Sequence, residues 1–203
     1  NLLGAEQSGF INEIGYETYQ KILDEAINEL KENEFKDIYH PEQDEHYEWS
    51  HECVIETDLE ILIPDNYVNL VNERLILYRE LDELKEEGQL VSFRNKLTDR
   101  FGLIPEQTEE LLETIRLRWK AKETGIEKIF LKNNKMTCYF VSKENSPFYQ
   151  SSKFTRVLNF IKENHNIANM EERNGKLQMT FKNVKDVRTA IILLDKILLT
   201  EVR

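Results

Sequence analysis

The feature that most limits the possible folds is a pair of β-hairpin signals in the last third of the chain. Asn174-Gly175 is the strongest short-range turn signal in the sequence, because both residue types tolerate the left-handed backbone of a two-residue hairpin, and "KLQMTF" follows it as an outgoing strand. Asn133-Asn134 lies between "IEKIFLK" and "KMTCYFVS", two further strand-like segments. The C-terminal third is therefore expected to contribute antiparallel strands.

Helical patterns surround these hairpins. Apolar residues at helical spacing predict five helices after residue 53. The first runs from about Tyr67 to Glu87 and is closed by Gly88, the second carries Leu90 to Phe101 and is ended by Gly102, and the third runs from Pro105 to Gly125. The fourth carries Phe154 to Ile161, and the closing helix carries Val187 to Leu198. Thr57, Leu59, Ile61 and Ile63 alternate with Asp58, Glu60 and Leu62, which predicts a half-buried strand that Pro64 ends. Helices mixed with antiparallel hairpins indicate an α+β fold with several helices packed on a small, largely antiparallel sheet.

The N-terminal quarter has a different pattern. Apolar positions predict one long amphipathic helix from about Ile11 to about Lys31. The following stretch loses periodicity, contains Pro41 and is dense in charge, so it is interpreted as a linker. The expected organisation is residues 1–34 as a leading segment with its helix, residues 35–52 as an acidic linker, and residues 53–203 as a compact domain.

Charge is unevenly distributed along the 203 residues. The formal net charge is −11, and the stretch from Asp24 to Glu60 alone holds fourteen acidic residues against two lysines. A general nucleic-acid-binding surface is therefore not indicated by charge, although a mildly basic stretch contains Lys120, Lys122, Lys128, Lys132 and Lys135. There is no signal-peptide pattern and no apolar run long enough to span a membrane, so a cytoplasmic location without membrane contact is expected.

The sequence lacks the usual equipment of an isolated enzyme. It contains no GxxxxGK[ST] phosphate loop and no GxSxG nucleophile elbow. His40, His46, His51 and Cys53 form the one metal-like cluster, and their spacing matches no standard zinc site. We expect no catalytic residue, metal or cofactor in this chain.

The opening segment carries a first resemblance. "NLLGAEQSGFINEIGYETYQKILDEAI" resembles the end of the translocation motif shared by transcription-repair coupling factors and RecG-type helicases. The resemblance implies that Gln7 couples ATP hydrolysis to movement on double-stranded DNA, while Gly4, Ser8 and Gly9 shape the loop. The arginines of that motif are absent here, so the motif is incomplete. The alternative is an ordinary helix-entry loop capped by Ser8 or Asn12.

A second resemblance covers the compact domain. "ETDLEILIPDNYVNLVNERLILYREL" and "LTDRFGLIPEQTEELLETIRLRWKAKETGI" look like the C-terminal domain of bacterial transcription-repair coupling factors. The resemblance implies a non-catalytic domain for DNA repair and transcription-coupled repair within a helicase superfamily 2 translocase, which uses ATP and magnesium, removes stalled RNA polymerase from double-stranded DNA and recruits UvrA. It also implies autoinhibition, in which this domain docks on the UvrA-binding domain of the same chain and masks it.

The "DRFG" element is where the resemblance places that interdomain contact. It points to Asp99 and Arg100, and Lys96 stands where the family often has an acidic residue. The alternative is that Asp99 and Arg100 are ordinary surface residues at a helix end. At the level of function, the alternative is a binding module for RNA polymerase or for DNA beside the motor, using the basic stretch, whereas no residue is a candidate base for an independent hydrolase.

Overall fold

The computed structural model describes residues 53–142 and 146–202. The predicted helix from about Ile11 to about Lys31, the linker at residues 35–52 and the loop with Gly4, Gln7, Ser8 and Gly9 lie outside these ranges. The elements in chain order are β1 (Val54–Thr57), α1 (Val71–Glu83), α2 (Glu87–Phe101), α3 (Glu106–Thr124), β2 (Ile126–Lys132), β3 (Lys135–Phe140), a 3-10 turn (Pro147–Gln150), α4 (Ser152–Glu163), β4 (Ala168–Arg173), β5 (Lys176–Lys182) and α5 (Val187–Leu198).

The strands form one mixed sheet in the order β1-β2-β3-β5-β4. Only the β1–β2 pair is parallel, and the β2–β3, β3–β5 and β4–β5 pairs are antiparallel. The two hairpin turns lie where the sequence predicted them, with positive φ at Asn133 (54°), Asn134 (57°), Asn174 (52°) and Gly175 (72°), the backbone that a type I′ turn requires. The predicted α+β fold with a largely antiparallel sheet is confirmed.

The described residues form two hydrophobic cores, and α3 contributes side chains to both. One core packs the helical face of the sheet against α4, α5 and the C-terminal half of α3, and the other joins α1, α2 and the N-terminal half of α3. Leu111, Leu112 and Ile115 of α3 belong to the helical core, whereas Leu117 and Ala121 belong to the sheet core. The two ends of α3 therefore pack in different cores, and this helix connects the two halves of the domain.

The predicted strand at Thr57 to Ile63 is wrong in its extent, because the strand ends at Thr57. Leu59 packs partly against the sheet core, while Ile63 is buried in the helical core. The backbone between them leaves the sheet and docks on the start of α3, where Leu62 donates its N–H to the Gln107 carbonyl at 3.3 Å. The apolar alternation thus reflects a segment that crosses from one core to the other.

The boundary predicted at Gly88 is also wrong. The first helix spans Val71–Glu83, and Gly88 lies in the first turn of α2. The chain becomes extended at Leu84 (φ −71°, ψ 132°), and the Gln89 side chain accepts a hydrogen bond from the Lys85 N–H at 2.8 Å. A side-chain acceptor reaching back to a backbone donor is a helix-start signal, and it places the break before Gly88. The predicted C-cap at Gly102 and the predicted helix end at Gly125 are confirmed, with φ of 85° and 81° at the two glycines.

Candidate interaction surface

Two of the sequence-predicted interface residues bind acids of the neighbouring helix. On α2, Lys96 Nζ lies 2.5 Å from Glu80 Oε2 of α1. Arg100 forms an ion pair with Glu73 of α1, and its guanidinium lies 5.0 Å from the centroid of the Phe101 ring. All four charged side chains remain partly exposed, so these pairs each contribute about 0–1 kcal/mol to stability. The two cations therefore connect α2 to α1 and still face solvent.

Asp99 differs from its two neighbours. It is exposed on the last turn of α2, and it forms no ion pair with any residue in the described ranges. Of the three charged residues predicted from the "DRFG" region, Asp99 is thus the one whose charge is not already matched within the described part of the domain.

Two exposed leucines lie close to this helix end. Leu103 is 93% exposed and Leu70 is 68% exposed. The Tyr67 hydroxyl donates to the carbonyls of Leu97 (3.2 Å) and Gly102 (3.1 Å), which holds the loop before α1 against the end of α2. We define the docking patch as Leu70, Glu73, Asp99, Arg100 and Leu103. Exposed apolar side chains that form a contiguous patch rimmed by polar residues are typical of protein–protein contact sites.

Sequence reasoning missed the leucines of the docking patch. Leu103 comes directly after Gly102, which ends α2. An apolar side chain at this position often packs on the last turn of the preceding helix, so the sequence alone gives no indication that Leu103 is exposed. Here Gly102 has φ 85° and ψ −151°, outside the left-handed helical region, and the chain leads Leu103 into solvent. Only the backbone geometry at Gly102 shows this.

Ion pairs also hold α3 to the other two helices of the helical core. Arg94 of α2 lies 2.5 Å from Glu109 of α3, and Arg116 of α3 lies 2.5 Å from Glu87 of α2. Arg118 of α3 lies 3.3 Å from Asp82 of α1. The Arg116 guanidinium lowers the pKa of the Glu87 carboxyl below its ordinary value, chiefly through hydrogen bonding. Asp99 therefore lies on one of three helices that are connected to each other by ion pairs, and not on an independent loop.

The basic stretch identified in the sequence is divided between two sides of the molecule. Lys120 of α3 pairs with Asp195 of α5 at 2.9 Å, and hydrogen bonding to that carboxylate raises the pKa of the lysine. Lys128 and Lys132 of β2 both contact Glu56, at 2.5 and 3.5 Å, and their hydrogen bonds lower the pKa of the Glu56 carboxyl. The stretch is not one continuous surface, although Lys128, Lys132 and Lys135 share a sheet face.

Cys53 is part of the sheet core and is only 3% exposed. Burial raises the pKa of its thiol to about 12 and that of Cys138 well above its ordinary value. A buried thiol that keeps its proton is a poor metal ligand, because metals bind the thiolate. His40, His46 and His51 lie outside the described residues, within which no group of three or more His, Cys, Asp or Glu side chains is placed to hold a metal ion.

Within residues 53–142 and 146–202, each helix is too short or too polar to span a lipid bilayer.

Comparisons with known proteins agree with these features. The TRCF domain family matches residues 57–151. The transcription-repair-coupling factor of Escherichia coli (strain K12) is 34% identical over 131 residues, which cover 63% of this chain and 10% of the relative. That of Rickettsia conorii is 31% identical over 175 residues, covering 86% of this chain and 14% of the relative. The chain thus spans only about a tenth to a seventh of the length of these curated relatives.

A solved structure described as the C-terminal domain of transcription-repair coupling factor has the same fold. It superposes with a TM-score of 0.59 at 18% identity, covering 72% of this chain and 92% of that one. The fold and the sequence match together define a TRCF-type α+β domain, in which a three-helix unit is joined to a mixed five-stranded sheet. The chain belongs to the transcription-repair coupling factor family and corresponds to its C-terminal domain.

Proposed function

We propose that this domain is a non-catalytic regulatory element that docks on the UvrA-binding domain of its own protein. In the docked state it covers the surface that recruits UvrA and restrains the motor. The full-length protein is then an ATP- and magnesium-dependent translocase on double-stranded DNA, which acts on stalled RNA polymerase and exposes the UvrA site when this domain undocks. Gln7, with Gly4, Ser8 and Gly9, belongs in this proposal to the coupling loop of the motor.

The docking patch is the observation that carries this proposal. Leu103 is almost fully exposed and follows the unmatched carboxylate of Asp99 by four residues, across the end of α2. Fully burying an exposed leucine side chain contributes about 1.5–3 kcal/mol, so the two leucines of the patch, 68% and 93% exposed, can supply somewhat less than twice that amount. Domains joined in one chain face each other at roughly millimolar effective concentration, for which docking needs only about 4 kcal/mol. A patch of this size therefore suits an interface that closes within one chain and still opens.

The test is a calorimetric titration of the chain with the isolated UvrA-binding domain. Asp99→Arg and Leu103→Asp are each expected to weaken binding about tenfold or more, because one reverses the unmatched charge and the other places a charge in the apolar contact. Arg100→Glu is a poorer probe, since it would place a second carboxylate beside Glu73 and disturb the α1–α2 contact as well.

Glu163→Arg provides the matched control. This residue ends α4, is exposed, and lies on an element of the sheet core rather than the helical core. The substitution changes the net charge as much as Asp99→Arg does and should leave the affinity unchanged. Failure of the unsubstituted chain to bind at millimolar concentration would refute docking, and equal losses in Glu163→Arg would refute the assignment to this patch.

A further inference from the structure

One face of the sheet carries no helix among the described elements. The apolar strand residues Ile129, Cys138 and Met179 point into the sheet core, and their sequence neighbours point the other way, because side chains alternate along a strand. We call this second side the open face. Its residues fall in four registered rows, which are Lys132–Lys135–Lys182, Glu56–Phe130–Thr137–Thr180–Asn169, Val54–Lys128–Tyr139–Gln178–Glu171, and Lys176–Arg173.

Three lysines lie side by side at one end of the open face. Lys132, Lys135 and Lys182 are direct partners on three neighbouring strands. Like charges directly opposite each other destabilise a sheet, and neighbouring strands lie only about 4.8 Å apart. Lys135 and Lys182 are exposed and form no ion pair within the described ranges, while Lys132 shares Glu56 with Lys128. This arrangement costs stability in the unbound domain and is relieved by a polyanion.

Aromatic side chains occupy the middle of the same face. Phe130 and Tyr139 belong to neither hydrophobic core, and their rings meet edge to face with centroids 5.6 Å apart. The ammonium groups of Lys128 and Lys132 lie 4.5 and 5.6 Å from the centroid of the Phe130 ring. Both rings are half-buried by this packing and keep part of their surface in solvent.

Lysines beside aromatic rings on an open antiparallel surface match one class of polyanion better than others. Single-stranded nucleic acid offers phosphates to the lysines and unpaired bases to the rings, and such stacking tolerates any base. A duplex offers its phosphates but keeps its bases stacked inside. An acidic protein segment would satisfy the lysines without using the ring surfaces.

We propose that the open face binds single-stranded nucleic acid, with Lys132, Lys135 and Lys182 contacting phosphates and Phe130 and Tyr139 contacting bases. Glu56 opposes this binding because its carboxylate already neutralises Lys128 and Lys132. This surface is distinct from the docking patch, which lies on the helical core. Loss of either activity can therefore be measured without loss of the other.

The test uses fluorescence anisotropy of the full chain with a labelled single-stranded oligothymidine. Binding is expected to weaken as salt rises, with a slope of log K on log salt near −2, because about three phosphate contacts on a single strand give about −0.7 each. Lys135→Gln with Lys182→Gln should lower the affinity about tenfold and reduce the slope by about 1.4. The same pair should leave thermal stability unchanged or slightly higher, since it removes a repulsive pair.

A gain-of-binding variant excludes misfolding as the explanation. Glu56→Gln releases two lysines and should tighten binding, whereas Lys162→Gln with Lys196→Gln, two exposed lysines on the helical side, should have no effect. Phe130→Leu, which keeps the apolar bulk, should weaken binding severalfold. The proposal is overturned if no binding occurs at low salt, if the control pair causes the same loss as the Lys135 and Lys182 pair, if a duplex of the same length binds as tightly, or if polyglutamate competes as well as the oligonucleotide does.

Discussion

At the scale of single residues, Gly125 shows how closely a helix end is fitted to the core. Its φ is +81°, and a Cβ built on it would lie 2.1 Å from Cε2 of the buried Phe148 ring. A side chain here meets two separate costs: the left-handed backbone and overlap with a ring that stacks on Phe140 and has no room to withdraw.

Gly125→Ala is expected to lower the free energy of unfolding by about 2–5 kcal/mol, adding a left-handed backbone cost of about 1–2 kcal/mol to an overpacking cost of about 1–3 kcal/mol. Urea denaturation followed by circular dichroism measures this change. Gly175→Ala is the control, because its φ is +72° and no atom lies within 4 Å of the added Cβ. Gly175→Ala should therefore cost only the backbone contribution, and equal losses in the two variants would contradict the role assigned to Phe148.

At the scale of elements, α5 depends on a charged N-cap. The Asp186 carboxylate accepts a hydrogen bond from the Thr189 N–H at 2.7 Å, and this backbone hydrogen bond is the main reason that the pKa of Asp186 lies below its ordinary value of 3.8. A carboxyl with a lowered folded-state pKa contributes stability that is present above its unfolded-state pKa and is lost as pH falls through the folded-state pKa.

Asp186→Ala is therefore expected to destabilise the domain by about 1 kcal/mol at neutral pH, with the difference from the unsubstituted chain shrinking as the pH drops below 3.8. Asp186→Asn keeps the cap and loses the charge, so it should cost little at neutral pH and should remove this part of the acid dependence. Thermal unfolding midpoints between pH 2 and 7 measure both effects. A pH-independent loss in Asp186→Ala would contradict a contribution from the carboxylate.

The elements also differ in how far the sequence could predict them. The two hairpins and α3 follow from local signals: Asn-Asn, Asn-Gly, and a helix between Pro105 and Gly125. The segment after Thr57 was wrongly predicted to be a strand, because its alternating apolar residues indicate only that they are buried. The pattern does not show that Leu59 and Ile63 are buried in two different cores. The open face was missed because Lys135 and Lys182 become neighbours only through the order β3-β5, which no local pattern encodes.

At the scale of the whole molecule, the two cores are predicted to unfold together, because α3 contributes side chains to both. Leu77 of α1 is fully buried in the helical core and lies far along the chain from β5. Leu77→Ala should lower the free energy of unfolding by about 2–5 kcal/mol. Loss of the helical core would also withdraw Leu117 and Ala121 from the sheet core, because both residues lie on the helix that the two cores share.

Hydrogen exchange tests this coupling. The amides of Met179 and Phe181 in the interior strand β5 should lose as much protection in Leu77→Ala as the amides of α1 do. Ile76→Ala, at a neighbouring position that is 60% exposed, should change neither. Retained protection in β5 together with fast exchange in α1 would mean that the two cores are separate folding units.

The parallel pairing of β1 also determines how the domain responds to tension. The described residues begin at Cys53, directly before β1. The four residues of β1 pair in parallel with Lys128 to Leu131 of β2. A pull on the preceding chain along the strand axis is a shear, which loads the β1–β2 hydrogen bonds together instead of opening them one at a time. Force arriving from that side along the axis is therefore resisted first by the β1–β2 hydrogen bonds acting together.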